Sequence, residues 1–181
     1  MSAYTVRTYG DPVLGQRARG VEEIDAKLVR LVDDMIETMY DAPGVGLAAN
    51  QVGVQRRLFV YDIGEGARAV INPRIVESSG EWYHDEGCLS IPGLRLGITR
   101  PDRVLLRGVD LAGNPLEIEA DEFLGRVFQH EVDHLDGVLM IERLDEDQRK
   151  IAKRVLRDRA LGLDTSALEE KLVSAGSDRT V

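Results

Sequence analysis

The sequence is poor in cysteine, histidine and aromatic residues: its 181 residues include one Cys, three His and one Trp. A single cysteine cannot form a disulfide within the chain, which excludes a disulfide-built secreted scaffold and favours a reducing compartment.

Long apolar runs are also absent. The longest stretch without a charge, residues 42 to 55, is 14 residues long and contains three glycines, whereas a membrane span needs about 20 apolar residues. With no secretory signal visible at the N-terminus, we expect a cytoplasmic protein that does not enter the membrane.

Positive charge is also scarce, with 23 Lys and Arg against 32 Asp and Glu and a net charge of −9. Phosphate binding requires clustered Lys and Arg, so this balance argues against a chain whose whole surface binds nucleic acid, and we expect no DNA partner. One segment differs, because residues 145 to 161 hold six basic residues against four acidic ones. A run of this kind is usually a solvated helix face.

The chain shows no repeat, low-complexity tract or linker, which predicts one domain over residues 1 to 161 and a short C-terminal tail over residues 162 to 181. Apolar residues recur at helical spacing after Asp25 and again over residues 122 to 135, which predicts two helices with one buried face each. Asp145 predicts the start of a last helix, with Gln148 placed for a capping box. Asp11 and Pro12 resemble the opening of a further helix, with Asp11 as the cap and Pro12 at the first helical position.

Short runs rich in Val, Ile, Phe and Tyr, bounded by Gly and Ser, predict strands over residues 58 to 63 and 69 to 76. Two more runs, residues 103 to 109 and 116 to 119, flank a turn-like Ala-Gly-Asn-Pro sequence and predict a hairpin. The pattern indicates an α+β fold in which antiparallel strands surround a central helix flanked by N- and C-terminal helices.

The central helix carries a His-Glu-Val-Asp-His sequence from His130 to His134. Two histidines four residues apart lie on one helix face and can hold one metal ion, while Glu131 between them can serve as a general base. A catalytic site usually has a third protein ligand. The extended metalloprotease pattern would place a histidine at position 140, but this residue is Met140. Acidic ligands such as Glu142 or Asp145 are conceivable, although both are also expected as surface or capping residues.

Cys88 is the other candidate ligand. A lone cysteine is more often a small buried hydrophobe, but Cys88 follows a polar stretch, residues 83 to 87, that reads as a turn. His84 in this stretch is interpreted as a surface residue. With His130 and His134, Cys88 would form a Cys/His/His site that suits zinc or ferrous iron.

Residues 44 to 53 alternate glycines with small residues and include Gln51. Such glycines allow another backbone to approach closely, although an ordinary turn between a helix and a strand is an equally good interpretation. The segment is not a phosphate loop, because no Gly-Lys-Ser/Thr follows.

Three segments together resemble the peptide deformylase family of metal hydrolases: residues 44 to 51, Glu86 to Ser90, and Gln129 to His134. The resemblance extends over roughly residues 3 to 160. It implies a catalytic domain that removes the formyl group from the N-terminal methionine of newly synthesised polypeptides and releases formate. It also implies one divalent metal ion, with ferrous iron as the active form and zinc or nickel able to replace it.

The same resemblance implies roles for individual residues. Cys88, His130 and His134 would bind the metal, Glu131 would move the proton, and Gln51 and the Leu89 backbone N–H would stabilise the oxyanion. Backbone groups would pair with an extended peptide, an apolar pocket would hold the methionine, and Arg95 would contact the substrate backbone. The C-terminal helix is the expected ribosome contact. The implied substrate-binding residues are Val45, Gly46, Gly87, Arg95, Phe123 and Val127.

Several alternatives stay open at this point. Phe123 and Val127 are equally well explained as core residues, and Arg95 as a solvated side chain. Arg100 and Glu86 are expected either to pair behind the ligands or to be ordinary surface charges. A conventional metalloendopeptidase would use the two histidines and Glu131 without Cys88, whereas a metal-stabilised binding module would need a closed site with four ligands.

Overall fold

The computed structural model describes residues 4–177, which form the expected α+β fold. Four α-helices and seven strands lie within this part of the chain, together with three short 3-10 turns. In chain order the elements are α1 (Ala26–Asp41), β1 (Gly46–Ala48), β2 (Leu58–Tyr61), β3 (Arg68–Ser79), β4 (Trp82–Cys88), β5 (Ile91–Arg100), β6 (Arg103–Val109), β7 (Pro115–Asp121), α2 (Glu122–Leu135), α3 (Glu146–Ala160) and α4 (Ser166–Ser177).

Helix α1 forms where the sequence pattern predicts it. The Asp25 side chain accepts a hydrogen bond of 2.8 Å from the Leu28 N–H and so caps the first turn. The apolar stripe of the helix, from Leu28 to Met39, is buried. The helix ends at Asp41, just before Pro43, whose ring cannot continue a helix. The opening predicted at Asp11 is a 3-10 turn, Pro12–Gly15, capped by the Asp11 carboxylate.

Five strands form one antiparallel sheet in the order β1-β2-β3-β6-β7. Helix α2 has the predicted bounds and packs across this sheet, where Phe128 meets Tyr61 edge to face with ring centroids 5.0 Å apart. The predicted hairpin of β6 and β7 is confirmed. The predicted strand over residues 58 to 63 ends earlier, at Tyr61, and the predicted strand over residues 69 to 76 is longer, Arg68–Ser79.

Strands β4 and β5 form a second, two-stranded sheet. The interpretation of residues 83 to 87 as a turn was wrong, because this stretch is the middle of β4. Burial alternates only in its second half: Glu86 and Cys88 are buried and Gly87 between them is exposed, whereas His84 and Asp85 are both exposed. His84 stacks on Trp82 with ring centroids 4.5 Å apart. The strand thus buries a charge where most strands bury an apolar side chain.

The C-terminal part covers the second sheet. Asp145 caps α3 by accepting from the Gln148 N–H at 2.8 Å, and α3 buries Ala152 and Val155 completely. The tail expected after residue 161 contains α4, a helix that the sequence did not predict, and α4 adds Leu172 to the same apolar cluster as β5 and α3. Among residues 4–177, no helix has the length and apolar character that crossing a membrane requires.

Candidate active site

Three candidate metal ligands meet at the junction of the two sheets. Helix α2 supplies His130 and His134 from successive turns of one face, and the end of β4 supplies Cys88. The Cys88 Sγ lies 3.1 Å from His134 Nε2, which lies 3.2 Å from His130 Nε2. All three donor atoms lie within 4.8 Å of one another. One thiolate and two imidazoles on a rigid helix and strand fit a single divalent ion such as zinc or ferrous iron.

The electrostatics of this cluster favour the ligand form of the cysteine. Burial alone would raise the pKa of the Cys88 thiol, but the charge of His134 and a hydrogen bond from His130 hold the pKa well below its ordinary value. A thiolate is the form that binds metals.

Glu131 lies beside the cluster and is almost completely buried. Burial raises the pKa of its carboxyl above the ordinary value. Its Oε2 atom has no hydrogen-bond partner among the described residues, although buried polar atoms nearly always have one. An unpartnered oxygen next to three candidate metal ligands is what a bound water or substrate would satisfy.

A buried network of charges holds the ligand helix against β4. The Glu86 carboxylate accepts from His130 Nδ1 at 3.0 Å, from Arg126 Nη1 at 2.6 Å, and from Arg100 Nε at 2.5 Å and Nη2 at 3.0 Å. Burial would raise the pKa of Glu86, but its bonds from His130 and Arg100 hold the pKa far below its usual range. Because the bond to Nδ1 fixes the imidazole, Nε2 of His130 is the ring nitrogen that could bind a metal.

Of the two interpretations left open for Arg100 and Glu86, the structure therefore supports the buried pair, but three neighbours of the network were missed. Arg126 also donates to the carbonyl of Trp82 at 2.6 Å and lies over the Trp82 ring. Asp133 accepts from Arg100 Nη1 at 2.8 Å, and the Asn50 side chain donates to the backbone carbonyl of His134. The partners of these residues are distant in the sequence, so no local pattern could reveal them.

A cleft of about 730 Å³ opens from the metal cluster to the surface. It runs between β1 on one side and β4 and β5 on the other, with the start of α2 at one end. The cleft is lined by Cys88, His130 and Glu131 and by every other residue singled out for catalysis or substrate binding: Val45, Gly46, Gln51, Gly87, Leu89, Arg95, Phe123 and Val127.

The Gln51 side chain is fixed within this cleft by three hydrogen bonds. Its Oε1 accepts from the Ala48 N–H at 2.9 Å, which orients Nε2 towards Ser90 Oγ at 3.1 Å and Cys88 Sγ at 3.9 Å. Gln51 and Ser90 are buried. The amide therefore presents its N–H groups on the side of the metal cluster.

The close approach expected at the glycine-rich segment occurs at Gly46. A Cβ atom on this residue would come within 2.9 Å of the Glu131 carboxyl carbon, closer than real Cβ contacts allow. Only glycine lets β1 pass directly against the buried carboxylate.

An α+β fold with two histidines and a glutamate on one helix, and a thiol completing the donor set beside a cleft, defines a metal-dependent hydrolase. Residues 3–150 match the family described as polypeptide deformylase. The chain belongs to this family.

Individual relatives agree with the family match. A peptide deformylase of Agathobacter rectalis is 52% identical over 145 residues, which cover 80% of this chain and 92% of the relative. The crystal structure of peptide deformylase from Ehrlichia chaffeensis in complex with actinonin has a TM-score of 0.83 at 37% identity and covers 88% of this chain and 98% of that chain. The Met-Ala-Ser-bound peptide deformylase from Acinetobacter baumannii has a TM-score of 0.75 at 32% identity and covers 79% and 99%.

Proposed function

We propose that this chain hydrolyses the N-formyl group from the formyl-methionine at the start of newly synthesised polypeptides and releases formate. The observation that carries the proposal is the Cys88, His130 and His134 cluster with the unpartnered carboxylate oxygen of Glu131 beside it. Membership of the polypeptide deformylase family indicates the reaction, and the cleft provides the space in which a peptide can bind. The catalytic unit is proposed to span residues 1–161 and to act in the cytoplasm.

Cys88, His130 and His134 are the proposed metal ligands, with ferrous iron as the proposed ion in the cell and zinc or nickel as replacements in purified protein. A divalent ion bound there would lower the pKa of a water molecule from its bulk value towards about 7 and would polarise a carbonyl oxygen. Ligand types alone do not separate these metals. The proposal for iron therefore depends on the family resemblance.

Glu131 is the proposed proton carrier. Its free Oε2 atom takes a proton from water in the cleft and returns it to the leaving amine. Its buried position and raised pKa make both the acid and the base form accessible during the reaction.

The Gln51 amide and the Leu89 backbone N–H are the proposed donors to the oxygen on which negative charge develops. The Gln51 amide is preorganised for this role because Oε1 is already bonded to Ala48.

The peptide is proposed to bind as an extra strand along β1. This strand lies at the edge of its sheet. The Val45 carbonyl accepts from the Asp62 N–H at 3.0 Å, so Val45 turns its polar groups towards the sheet. Because backbone groups alternate in direction along a strand, Gly46 turns its N–H and C=O outward into the cleft. Gly87, on the opposite wall, is the proposed second pairing position.

The remaining contacts suit a methionine side chain followed by peptide. Val127 is buried and touches both the core and the cleft, whereas Phe123 is exposed at the mouth of the cleft. Arg95 lies opposite Gly87 on β5, with its guanidinium near the Gly87 backbone. The Met-Ala-Ser peptide in the Acinetobacter baumannii relative begins with the free methionine that deformylation would leave.

We expect protein purified without oxygen to release formate from formyl-Met-Ala-Ser and to leave unformylated Met-Ala-Ser intact. Metal analysis of the same sample should find one ion per chain, and activity after loading the apoprotein should be higher with iron(II) than with zinc.

Cys88→Ser should lose activity together with metal affinity, because a hydroxyl is a poor ligand for both ions. Cleavage of internal peptide bonds that survives Cys88→Ser would instead indicate an endopeptidase.

Contact between the α3 segment, residues 145–161, and the ribosome is a further part of the proposal. Its basic side chains all take part in ion pairs with nearby acids, among them Lys150 with Glu146 at 2.7 Å and Lys153 with Glu142 at 2.9 Å. These ion pairs reduce the positive charge available to bind RNA. The contact would therefore require the exposed lysines to leave their acidic partners and bind phosphate groups instead.

The triple variant Arg149→Gln, Lys150→Gln, Lys153→Gln tests this contact better than deleting the segment, since α3 carries buried core residues. We expect it to cosediment with ribosomes roughly 10-fold more weakly at low salt, because fewer phosphates would be neutralised. Formate release from a free peptide should stay unchanged. Undiminished cosedimentation of the triple variant would contradict the contact.

A further inference from the structure

We propose that a second pocket, separate from the cleft, binds a small ligand carrying a multiply charged phosphate group. The pocket has a volume of about 460 Å³. We call it the arginine pocket, because five arginines line it: Arg17, Arg57, Arg74, Arg100 and Arg143.

The arginine pocket lies across α2 from the metal cluster. At about 100° per residue, His130 and Glu131 fall on the face of α2 that lines the cleft. Gln129 and Val132 fall on the other side of the helix and line the arginine pocket, together with Asp133 at its flank and Asp136 just after the last helical residue. A ligand there would not occupy the space of the peptide.

The positive charge of the arginine pocket exceeds what its carboxylates neutralise. Asp136 is shared by Arg57 at 2.7 Å and Arg17 at 3.5 Å. Asp133 is likewise shared by Arg143 and by Arg100, the latter at 2.8 Å. Each carboxylate thus faces two guanidinium groups, and within residues 4–177 only Arg100 of these four arginines has a further acidic partner, Glu86.

Arg74 adds a further positive charge to the arginine pocket. It is exposed, and among residues 4–177 it has no ion pair. On the neighbouring strand it lies directly opposite Arg107, and like charges in this position destabilise a sheet. The chain as a whole has a net charge of −9, so this local surplus of arginine runs against its overall composition. A concave site lined by positive charge focuses the positive electrostatic potential and so attracts an anion, even in an acidic protein.

The chemistry of the arginine pocket selects phosphate. Guanidinium groups bind phosphate oxygens in pairs through two parallel N–H donors. Arg57 is already held in place, since its Nε donates to the Pro73 carbonyl at 3.0 Å, which lowers the entropy cost of binding. The concave shape suits a compact anion better than the extended backbone of a nucleic acid.

Calorimetric titration of the zinc-loaded protein with pyrophosphate at low ionic strength tests the proposal. We expect saturable binding at one site per chain, weakened at least about 10-fold in the double variant Arg17→Gln, Arg74→Gln. Both side chains are exposed, so the fold and formate release should be preserved. Arg30→Gln, which removes one exposed arginine on α1, is the control and should bind pyrophosphate as the unmodified chain does.

Equal binding in all three proteins would overturn the proposal, since it would indicate chelation of the active-site metal or nonspecific attraction. The absence of saturable pyrophosphate binding would also overturn it. So would binding of a single-stranded RNA oligonucleotide without binding of pyrophosphate, because the pocket would then be part of an extended nucleic-acid surface.

Discussion

Replacing Glu131 by glutamine should lower formate release from formyl-Met-Ala-Ser by roughly 10²- to 10⁴-fold, the usual contribution of a positioned acid–base group. The amide has nearly the shape of the carboxylate but cannot accept and return a proton. Because the donor atoms of Cys88, His130 and His134 are untouched, metal content should stay the same. Formate assays on metal-loaded protein, with metal analysis of the same sample, measure both quantities.

Glu81→Gln is the matched control. Glu81 is exposed between β3 and β4 and lies outside the cleft, so this variant should keep full activity. Full activity of Glu131→Gln would contradict the proposed proton transfer. Loss of metal together with activity would show that Glu131 supports the ligands rather than the proton transfer.

The parts of the fold that could be predicted are those in which apolar spacing alone decides the structure. The stripe on α1 and the apolar residues of α2 have only one way to be buried, so both helices were placed correctly. The hairpin of β6 and β7 was visible because its turn sequence lies between two apolar runs. The two histidines could be singled out as candidate ligands because residues four positions apart lie on the same face of a helix. Their binding of a metal stays a prediction.

Strand β4 could not be predicted, because its burial depends on partners that lie far away in the sequence. Tyr-His-Asp-Glu-Gly has the composition of a turn, and Glu86 is buried only because Arg100 and Arg126 neutralise it. Arg126 was missed for the same reason: an arginine among apolar helix residues is normally solvated. Helix α4 has a weak apolar pattern, and its burial at Leu172 requires β5 and α3 to be in place.

The dependence of β4 on buried charges leads to the second large expected effect. Glu86→Gln should lower the free energy of unfolding by about 3 kcal/mol or more, because removing one partner leaves buried guanidinium groups without their counter-charge. For a chain of this size each kcal/mol lowers Tm by about 2–4 °C. The affinity for the metal should also fall about 10- to 100-fold, since Nδ1 of His130 loses its carboxylate acceptor. Thermal denaturation and competition with a metal chelator measure the two effects.

Glu117→Gln removes the same charge from a pair of similar geometry, since Glu117 accepts from Arg107 at 2.5 Å. The side chains of Glu117 and Arg107 are both substantially exposed. The side chains of Glu86 and Arg100 are almost fully buried. Water screens the exposed pair, so Glu117→Gln should cost less than about 1 kcal/mol and leave metal affinity unchanged. Equal losses in the two variants would show that burial does not set the strength of the network. A Glu86→Gln protein that loses stability but keeps its metal affinity would restrict Glu86 to joining β4 to α2, with no part in orienting His130.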